Sequence, residues 1–321
     1  MDSQPEVTVI IPNYNGKQLL ENCIATLEQQ TCPAFRVLVV DNGSTDGSAS
    51  VRSEVLDLEV LTLGENTGFD GAVNAGIRRT ETPYVILLNN DTEAEPRFVE
   101  ELLAGIRRSD RIFSCGALMI DYHDRRLADN AGDLYTVPGW AAARGKGKPV
   151  ARFEKECGVF SCCAGAAIYR TRQVKELGGF DELHFAYLED VDIGYRARIH
   201  GYVNRYIPAA RVYHIGSAST GSRYNEKKVY LAARNSMYVI YKNMPLLQLI
   251  LHLVPVAAGI LVKTTFFVKK GLAGEYLRGI RDGIITCRKC RKVQFQAKNI
   301  KNYIRIEWDM WTGMFRLLLE R

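Results

Sequence analysis

An apolar run in the first third of the chain ends directly in three polar residues. Residues 84–88 are followed by Asn89, Asn90 and Asp91. Asparagine and aspartate are common turn formers because their side chains hydrogen-bond the nearby backbone, so a plain turn is one interpretation. A carboxylate at a strand end can also hold a divalent cation together with the phosphates bound to it. The segment itself leaves both interpretations open.

Two segments upstream have residue types that suit a nucleotide. Asp41 ends the apolar run 36–40 and begins a glycine-bearing turn, where its carboxylate could accept hydrogen bonds from a nucleobase or ribose. The glycines of residues 64–76 surround a predicted helix start, where the backbone can approach a phosphate closely. Ordinary tight turns explain both segments equally well. Neither contains the dinucleotide fingerprint or the P-loop lysine, so the sequence indicates neither a nicotinamide site nor an ordinary ATP site.

Two downstream segments suit catalysis or metal binding. Glu189, Asp190 and Asp192 stand at the start of a predicted helix, where acids are favoured by the helix dipole. A carboxylate there could also act as a general base on a hydroxyl group. His214 follows a short apolar run; it is either a structural histidine or an additional ligand for a divalent metal.

Strand and helix patterns alternate through the first half of the chain. This alternation predicts βαβ units and a mainly parallel sheet flanked by helices, an α/β fold. Ligands bind beyond the carboxyl ends of such strands, so Asp41 and Asp91 should share one edge. The predicted strands are 7–11, 36–40, 59–63 and 84–88, and the predicted helices are 18–29, 48–55, 71–79 and 96–109.

The second half is less regular. Residues 121–160 contain many glycines and prolines, which suggests a long excursion or lid. Beyond it the pattern predicts an apolar strand over 160–169, a helix from Glu189, short strands over 203–207 and 211–214, and a helix that follows residues 221–223 and continues through 241.

Five segments, taken in order, carry a family resemblance. They are VTVIIPNYNG, VVDNGSTDG, LLNNDT, AYLEDVDIGYRAR and VYHIGSAST, which begin at residues 7, 39, 87, 186 and 212. Together they resemble glycosyltransferase family 2 over residues 6–242, and most of all the bacterial rhamnosyltransferases of cell-wall and O-antigen polysaccharide synthesis. The resemblance implies a GT-A fold, with a Rossmann-like, mainly parallel central sheet, and inverting transfer from a nucleotide sugar.

The resemblance also implies roles for particular residues. The nucleotide-sugar site would be formed by Pro12, Tyr14, Asn15, Asp41, Asn66, Gly68, Gly71, Asn90 and Asp91. Asp91 and His214 would hold Mg²⁺ or Mn²⁺, although Asn89 stands where the family often has a first acid. Asp190 would be the general base, with Glu189 supporting it.

The implied chemistry is consistent with these residue types. A leaving nucleoside diphosphate gains charge that a divalent cation can stabilise, and a carboxylate on the opposite face can take the acceptor's proton. The donor would be linked to dTDP or UDP and possibly carry rhamnose; the acceptor would be a saccharide or a polyprenyl-linked saccharide. The alternatives are a nucleotidyltransferase and a non-catalytic nucleotide-sugar-binding membrane scaffold.

Charge is distributed unevenly along the chain. The formal net charge is +6, but residues 263–305 contain twelve Lys and Arg against two acids, a local net of +10. Residues 246–262 are nearly uncharged and apolar. We expect a catalytic region over 1–242, whose nucleotide half ends near residue 120, and a basic helical region over 243–321. That region would pack on the catalytic part, span a membrane, or dock on an anionic membrane surface. It has no nucleic-acid-binding motif, so no nucleic-acid partner is expected.

Composition indicates an ordinary globular protein. The chain has 321 residues, 47% of them hydrophobic and 24% charged, which argues against wholesale disorder. Its eight cysteines lack the spacing of a disulfide framework, so reduced thiols are expected, and the single C-x-x-C at 287–290 lacks further zinc ligands nearby. The N-terminal residues do not resemble a signal peptide. We therefore expect a cytoplasmic protein, peripheral on the inner face of the plasma membrane.

Overall fold

A computed structural model describes residues 4–32, 34–216 and 224–319. Its main feature is a ten-stranded sheet with helices on both faces. The strands are β1 (Val7–Asn13), β2 (Phe35–Asp41), β3 (Leu58–Thr62), β4 (Tyr84–Leu88), β5 (Thr92–Ala94), β6 (Ile112–Asp121), β7 (Ala128–Asn130), β8 (Asp133–Tyr135), β9 (Ala141–Ala143), β10 (Cys157–Val159), β11 (Ala166–Arg170) and β12 (Val203–His214). The helices are α1 (Lys17–Leu27), α2 (Gly68–Arg79), α3 (Phe98–Arg107), α4 (Thr171–Glu176), α5 (Glu189–Ile199), α6 (Glu226–Asn243), α7 (Leu246–Val268), α8 (Ala273–Thr286) and α9 (Ile300–Leu319).

The first half of the sheet is parallel, as the alternating pattern predicts. Its strands lie in the order β4-β1-β2-β3, and all neighbours in this set run in the same direction. Both faces of β1, β2 and β4 are covered, by α1 and α3 on one side and α2 on the other, which explains their mostly apolar runs, whereas the edge strand β3 is only partly buried. The register sets Asn13 opposite Asp41, so the polar strand ends meet at one edge.

The other half of the sheet is mixed. Its order is β10-β12-β6-β11-β4; β12 is parallel to β6, whereas β10 and β11 are antiparallel to their neighbours, and short β5 and β7 attach to β12 and β6. The two strands predicted over 203–207 and 211–214 are one strand. Its register shifts between Ile207 and Arg211, where Pro208 lacks a backbone donor.

Several predicted boundaries were wrong. The strand predicted over 160–169 begins only at Ala166, and the excursion 121–160 contains β7 to β10. The helix predicted over 48–55 is a single 3-10 turn, Ser48–Ser50. Its serines bond locally instead: Ser50 Oγ donates to the Gly47 carbonyl at 2.7 Å, a competition that shortens helices. Residues 221–223 and 217–220 lie outside the described residues.

The last four helices form a layer beside the sheet. α6 packs on α5 and α8, α7 packs on α8, and α9 packs on α5 and the β8–β9 hairpin. Within the described residues, α7 is the one helix long and apolar enough to span a membrane by length and composition. All eight cysteines are free thiols.

Candidate active site

The polar ends of β1, β2 and β4 are tied together by hydrogen bonds. Asn90 Nδ2 donates to Asn13 Oδ1 at 2.6 Å, which joins the end of β4 to the end of β1. The loop after β1 is joined to the loop after β2, since Thr45 N donates to Asn15 Oδ1 at 2.8 Å. Tyr14, which stands between Asn13 and Asn15 in the sequence, has 46% of its surface exposed. The edge is therefore a fixed platform with one exposed aromatic ring.

Asp41 provides a buried acceptor at this platform. It is 1% exposed, and Ser44 N donates to its Oδ2 at 3.3 Å. Its Oδ1 has no hydrogen-bond partner among the residues that the structure describes. A buried acceptor without a donor is costly, so a ligand N–H or O–H is the natural partner at this position. Pro12, at the end of β1, lies opposite Val40, the residue before Asp41.

The glycine-bearing loop before α2 is held by Asn42. Asn42 Nδ2 donates to the Gly68 carbonyl at 2.9 Å and to Asn66 Oδ1 at 3.2 Å, and its Oδ1 accepts from Thr67 N at 2.9 Å. Gly68 has a φ of +77°, and a Cβ there would lie 2.4 Å from the Phe185 carbonyl oxygen. Glycine is needed at position 71 for a different reason, because a Cβ there would collide with the Thr67 hydroxyl of the same turn.

Asp91 and His214 meet at the end of β4. His214 Nε2 lies 3.3 Å from Asp91 Oδ1, and His214 Nδ1 lies 2.9 Å from Asp129 Oδ2. Lys146 also pairs with Asp129. Burial disfavours the charged imidazole, but hydrogen bonds to the Asp129 and Asp91 carboxylates outweigh it and raise the pKa of His214 to about 9. Burial likewise opposes the charge on Asp129, yet its bonds to His214 and Lys146 hold its pKa near 2.

This donor set suits a divalent cation. A carboxylate oxygen and an imidazole nitrogen point at one another across 3.3 Å, and a bound cation would replace the proton on Nε2. Asp129 would then orient the ring through Nδ1, the arrangement usual for metal-bound histidines. Over 4–32, 34–216 and 224–319 no group of three or more Cys, His, Asp or Glu has metal-binding geometry. The remaining coordination positions of such a cation would be open to oxygens of a bound ligand and to water.

Asp190 lies half-buried in the first turn of α5. The N–H groups of Val191 and Ala164 face its carboxylate, with Val191 N at 2.7 Å from Oδ1. Gly165, next to Ala164, accepts from Asn89 N at 2.9 Å. Segment 163–165 thus links Asp190 to the Asn89–Asp91 turn. Burial raises the pKa of Asp190 to about 6, although the two N–H groups favour its charged form.

Three other buried acids surround Asp190. Asp70, in the first turn of α2, is 0% exposed, and neither of its carboxylate oxygens has a partner in the described part of the chain. Glu189 is also buried, and its Oε2 has no hydrogen-bond partner among the described residues. Asp133, in contrast, accepts hydrogen bonds from Asn130 and Ser161, each at 2.9 Å. Burial, followed by repulsion from neighbouring carboxylates, raises the pKa of all three well above the ordinary range. Neutral acids that can donate hydrogen bonds are the expected state.

Asp192 has a different environment from Asp190. It pairs with Arg196 at 2.8 Å and Lys242 at 2.9 Å and accepts from Asn243 at 2.8 Å. Burial opposes its charge, but these cations lower the pKa of Asp192 far below its usual value. Asp192 therefore links α5 to α6 as a permanently charged structural acid.

The sequence had pointed to Asp41, Asp91, Glu189, Asp190 and His214, and the structure puts each of them at this edge. It adds Asn42, Asp70, Asp129 and Asp133, which the pattern did not single out. Asn42 stood inside the second motif and could have been found there. The sequence pattern predicts no strand at Asp129, because β7 is only three residues long and its pairing with β6 is interrupted by a register shift.

The chain is similar in sequence and in fold to known glycosyltransferases. The N-acetylglucosaminyl-diphospho-decaprenol L-rhamnosyltransferase of Mycobacterium tuberculosis is 28% identical over 259 residues, covering 73% of this chain and 82% of that protein. S. aureus TarS 1–349 in complex with UDP-GlcNAc superimposes with a TM-score of 0.56 at 18% identity, covering 94% of this chain and 90% of that one. The mannosyltransferase PcManGT of Pyrobaculum calidifontis, solved with GDP-Man and Mn²⁺, gives 0.53 at 16% identity, with 89% and 87% covered.

The structural likenesses confirm the GT-A fold and the C-terminal helical region. Residues 8–178 match the sequence profile described as Glycosyl transferase family 2. The chain therefore belongs to glycosyltransferase family 2, and among known proteins it is similar to bacterial rhamnosyltransferases.

Proposed function

We propose that this glycosyltransferase moves a hexosyl unit, with inversion, from a nucleoside-diphosphate sugar to a hydroxyl group. The observation that carries the proposal is segment 163–165, which contacts Asp190 through the N–H of Ala164 and contacts Asn89, at the start of the turn that holds Asp91, through the carbonyl of Gly165. The Asp91–His214 pair is suited to bind a cation together with a diphosphate, and Asp190 is suited to accept a proton. Asp190 favours a hydroxyl acceptor, which needs a base, over nucleotidyl transfer to a phosphate group, which is already ionised.

The donor would lie along the platform. Asp41 would accept from the base or ribose through its free Oδ1, beside Pro12, Tyr14 and Asn15. The Asn66–Gly68 loop, fixed by Asn42, would follow the diphosphate into the N-terminus of α2. A divalent cation held by Asp91 and His214, with Asn90 alongside, would supply Lewis acidity to the leaving diphosphate.

Asp190 would take the acceptor's proton. Its pKa of about 6 leaves it ionised at neutral pH while keeping it a stronger base than an exposed aspartate. A single base opposite the leaving group favours direct displacement, which inverts the anomeric carbon.

The donor class can be tested by thermal shift. We expect a dTDP- or UDP-linked sugar, dTDP-rhamnose among them, to raise the melting temperature more with Mn²⁺ or Mg²⁺ than with chelator. A panel of dTDP-, UDP- and GDP-sugars makes the comparison. If none stabilises the protein under any metal condition, the proposed donor site is wrong.

Glu189 should act as a neutral hydrogen-bond donor. Because burial and neighbouring acids raise its pKa, glutamine resembles its working state. We expect Glu189→Gln to keep turnover within about threefold of wild type and Glu189→Ala to lose roughly tenfold or more, the range of one positioned polar group. Steady-state kcat checks this. Equal losses in both variants would show that the negative charge matters.

The acceptor proposal rests on the relatives and on the C-terminal helices. The mycobacterial relative is named for a decaprenyl-diphosphate-linked sugar, so we propose a polyprenyl-linked saccharide acceptor at a membrane. The outward surface of residues 243–319 suits that location. α7 exposes Leu246, Leu247, Ile250, Leu251, Leu253, Val254, Leu261, Val262, Phe266 and Val268, and α9 exposes Ile300, Ile304, Trp308, Trp311, Phe315 and Leu319.

The polar residues of α7 point the other way. His252 is 2% exposed and bonds the Val137 carbonyl at 3.0 Å and Glu307 of α9 at 2.9 Å, and Gln248 donates to Glu307 at 2.8 Å. A spanning helix would put these bonds and their carboxylate inside hydrocarbon. An interfacial helix keeps them on the protein and gives its apolar face to lipid. Exposed cations such as Lys269, Lys270, Lys301 and Arg305 suit anionic headgroups. We therefore propose a peripheral location on the cytoplasmic face of the plasma membrane.

Replacing one outward leucine should weaken membrane docking. Leu253 and Val55 are each 69% exposed, but Val55 lies in the loop before β3, far along the chain from the apolar helices. We expect Leu253→Asp to lower binding to anionic vesicles about thirtyfold, because a buried leucine contributes about 2 kcal/mol and about 1.4 kcal/mol is tenfold. Val55→Asp, the matched control, should bind like wild type. Co-sedimentation with phosphatidylglycerol vesicles measures both; equal binding by all three proteins would contradict docking through α7.

A further inference from the structure

The segment that leads into the first turn of α5 has an unusual backbone. Phe185, Tyr187 and Leu188 have φ angles of 66°, 74° and 67°, in the left-handed region, and none of them is glycine. Side chains with a Cβ disfavour this conformation, and a run of three within four residues is rare. Such strain persists only where surrounding contacts fix it. Leu188 is also the residue before Glu189, so its conformation sets the direction in which Glu189 and Asp190 leave the loop.

Asn235 of α6 supplies those contacts on one side. Its side chain is completely buried, and its Nδ2 donates to the carbonyls of His184 at 3.0 Å, Ala186 at 2.8 Å and Tyr187 at 2.8 Å. The preceding residue, Arg234, donates to Asn235 Oδ1 at 3.0 Å, which fixes the amide's orientation. Because an amide nitrogen carries two hydrogens, these two N–H groups are shared among the three carbonyls of segment 183–188.

Further bonds close the segment from both sides. Arg234 Nη2 donates to the carbonyls of Leu183 at 2.9 Å and His184 at 2.8 Å. On the opposite side, Phe69 N of α2 donates to the Phe185 carbonyl at 2.7 Å, and Gly68 leaves room for that carbonyl. Segment 183–188 is therefore held between α6 and the N-terminus of α2, where the donor diphosphate is proposed to lie.

We infer that Asn235 is a positioning residue of the transfer reaction, which keeps Phe185, Tyr187 and Leu188 left-handed so that Asp190 faces the acceptor hydroxyl. The inference rests on the proposed role of Asp190 as the base. A competing explanation is that Asn235 is an ordinary buried amide that supports the fold as a whole. The two explanations differ in where the effect of its loss appears.

The test compares the full-length Asn235→Ala variant with wild type by hydrogen–deuterium exchange, donor binding and turnover. We expect hydrogen–deuterium exchange over 183–192 to rise at least tenfold while β1 and β2 stay protected. We expect kcat to fall at least tenfold and the calorimetric affinity for donor to change less than threefold.

Asn204→Ala is the matched control. Asn204 is a 1% exposed amide of β12 that donates to the Phe160 carbonyl at 2.6 Å. It should lower the melting temperature without changing exchange over 183–192 or kcat.

A second substitution separates strain from general destabilisation. Glycine adopts the left-handed region without steric cost, so Asn235→Ala combined with Leu188→Gly should recover part of the lost kcat. If Asn235 only stabilises the fold as a whole, the double variant should have a lower kcat than Asn235→Ala alone. That result would overturn the inference. Unchanged exchange over 183–192 in Asn235→Ala would also overturn it. If Asp190→Asn keeps full turnover, the base assignment fails instead, and the exchange data alone then decide whether Asn235 holds the segment.

Discussion

Replacing Asp190 with asparagine should abolish most turnover and leave donor binding intact. Asparagine keeps the shape, and its Oδ1 can still accept from Val191 N, but its side chain does not take the acceptor's proton. General-base catalysis contributes about 10²- to 10⁴-fold, and kcat should fall by that amount. Calorimetry with a donor and Mn²⁺ should give a dissociation constant within about threefold of wild type, because the lost interaction belongs to the transition state.

The wild-type pH profile gives an independent check on Asp190. Its pKa of about 6 means that the carboxylate is protonated, and inactive as a base, below that pH. The value of kcat/KM should therefore rise with pH and level off above about pH 6. Below pH 6 it should fall about tenfold for each pH unit. Asp190→Asn should lack this acidic limb. Turnover close to wild type in the variant would reject the base assignment.

Replacing Asp91 with alanine should weaken metal-dependent donor binding. Alanine removes the carboxylate oxygen that lies 3.3 Å from His214 Nε2 and leaves the imidazole as the single proposed protein ligand. We expect kcat/KM to fall about a hundredfold or more, since a Lewis-acidic cation contributes several kcal/mol to stabilising the leaving charge. Titration with Mn²⁺, followed by its electron paramagnetic resonance signal, should show weaker binding in the presence of UDP or dTDP.

The control for Asp91 is Asp121→Ala at the end of β6. Asp121 is a partly exposed strand-end acid whose carboxylate accepts from His123 N at 2.9 Å in a local turn. It should bind Mn²⁺ and donor like wild type. Manganese binding that is equal in wild type, Asp91→Ala and Asp121→Ala would remove Asp91 from the metal site.

The parallel half of the sheet could be predicted because its information is local. Runs such as residues 7–11 and 84–88 are apolar at nearly every position, and each is followed by turn residues and then a helical pattern. Parallel pairing then forces the polar ends to one edge, so Asp41 and Asp91 followed from the pattern without knowledge of tertiary contacts.

The remainder depends on contacts between distant segments. Asp129 reaches His214 through the pairing of β7 with β6 and of β6 with β12, which no local pattern encodes. The left-handed backbone at Phe185, Tyr187 and Leu188 has no glycine to signal it, because Asn235, from a helix much later in the chain, supplies the compensating bonds. The outward direction of α7's apolar face likewise depends on where Glu307 of α9 lies.

The stereochemistry of transfer tests the central claim most directly. Proton NMR can follow the anomeric proton of the first sugar product released from the donor, with water as acceptor, before mutarotation equalises the anomers. A diphosphate leaving from the Asp91 side and a nucleophile activated by Asp190 on the other side require the opposite anomeric configuration from that of the donor. A product that retains the donor's configuration would contradict this arrangement.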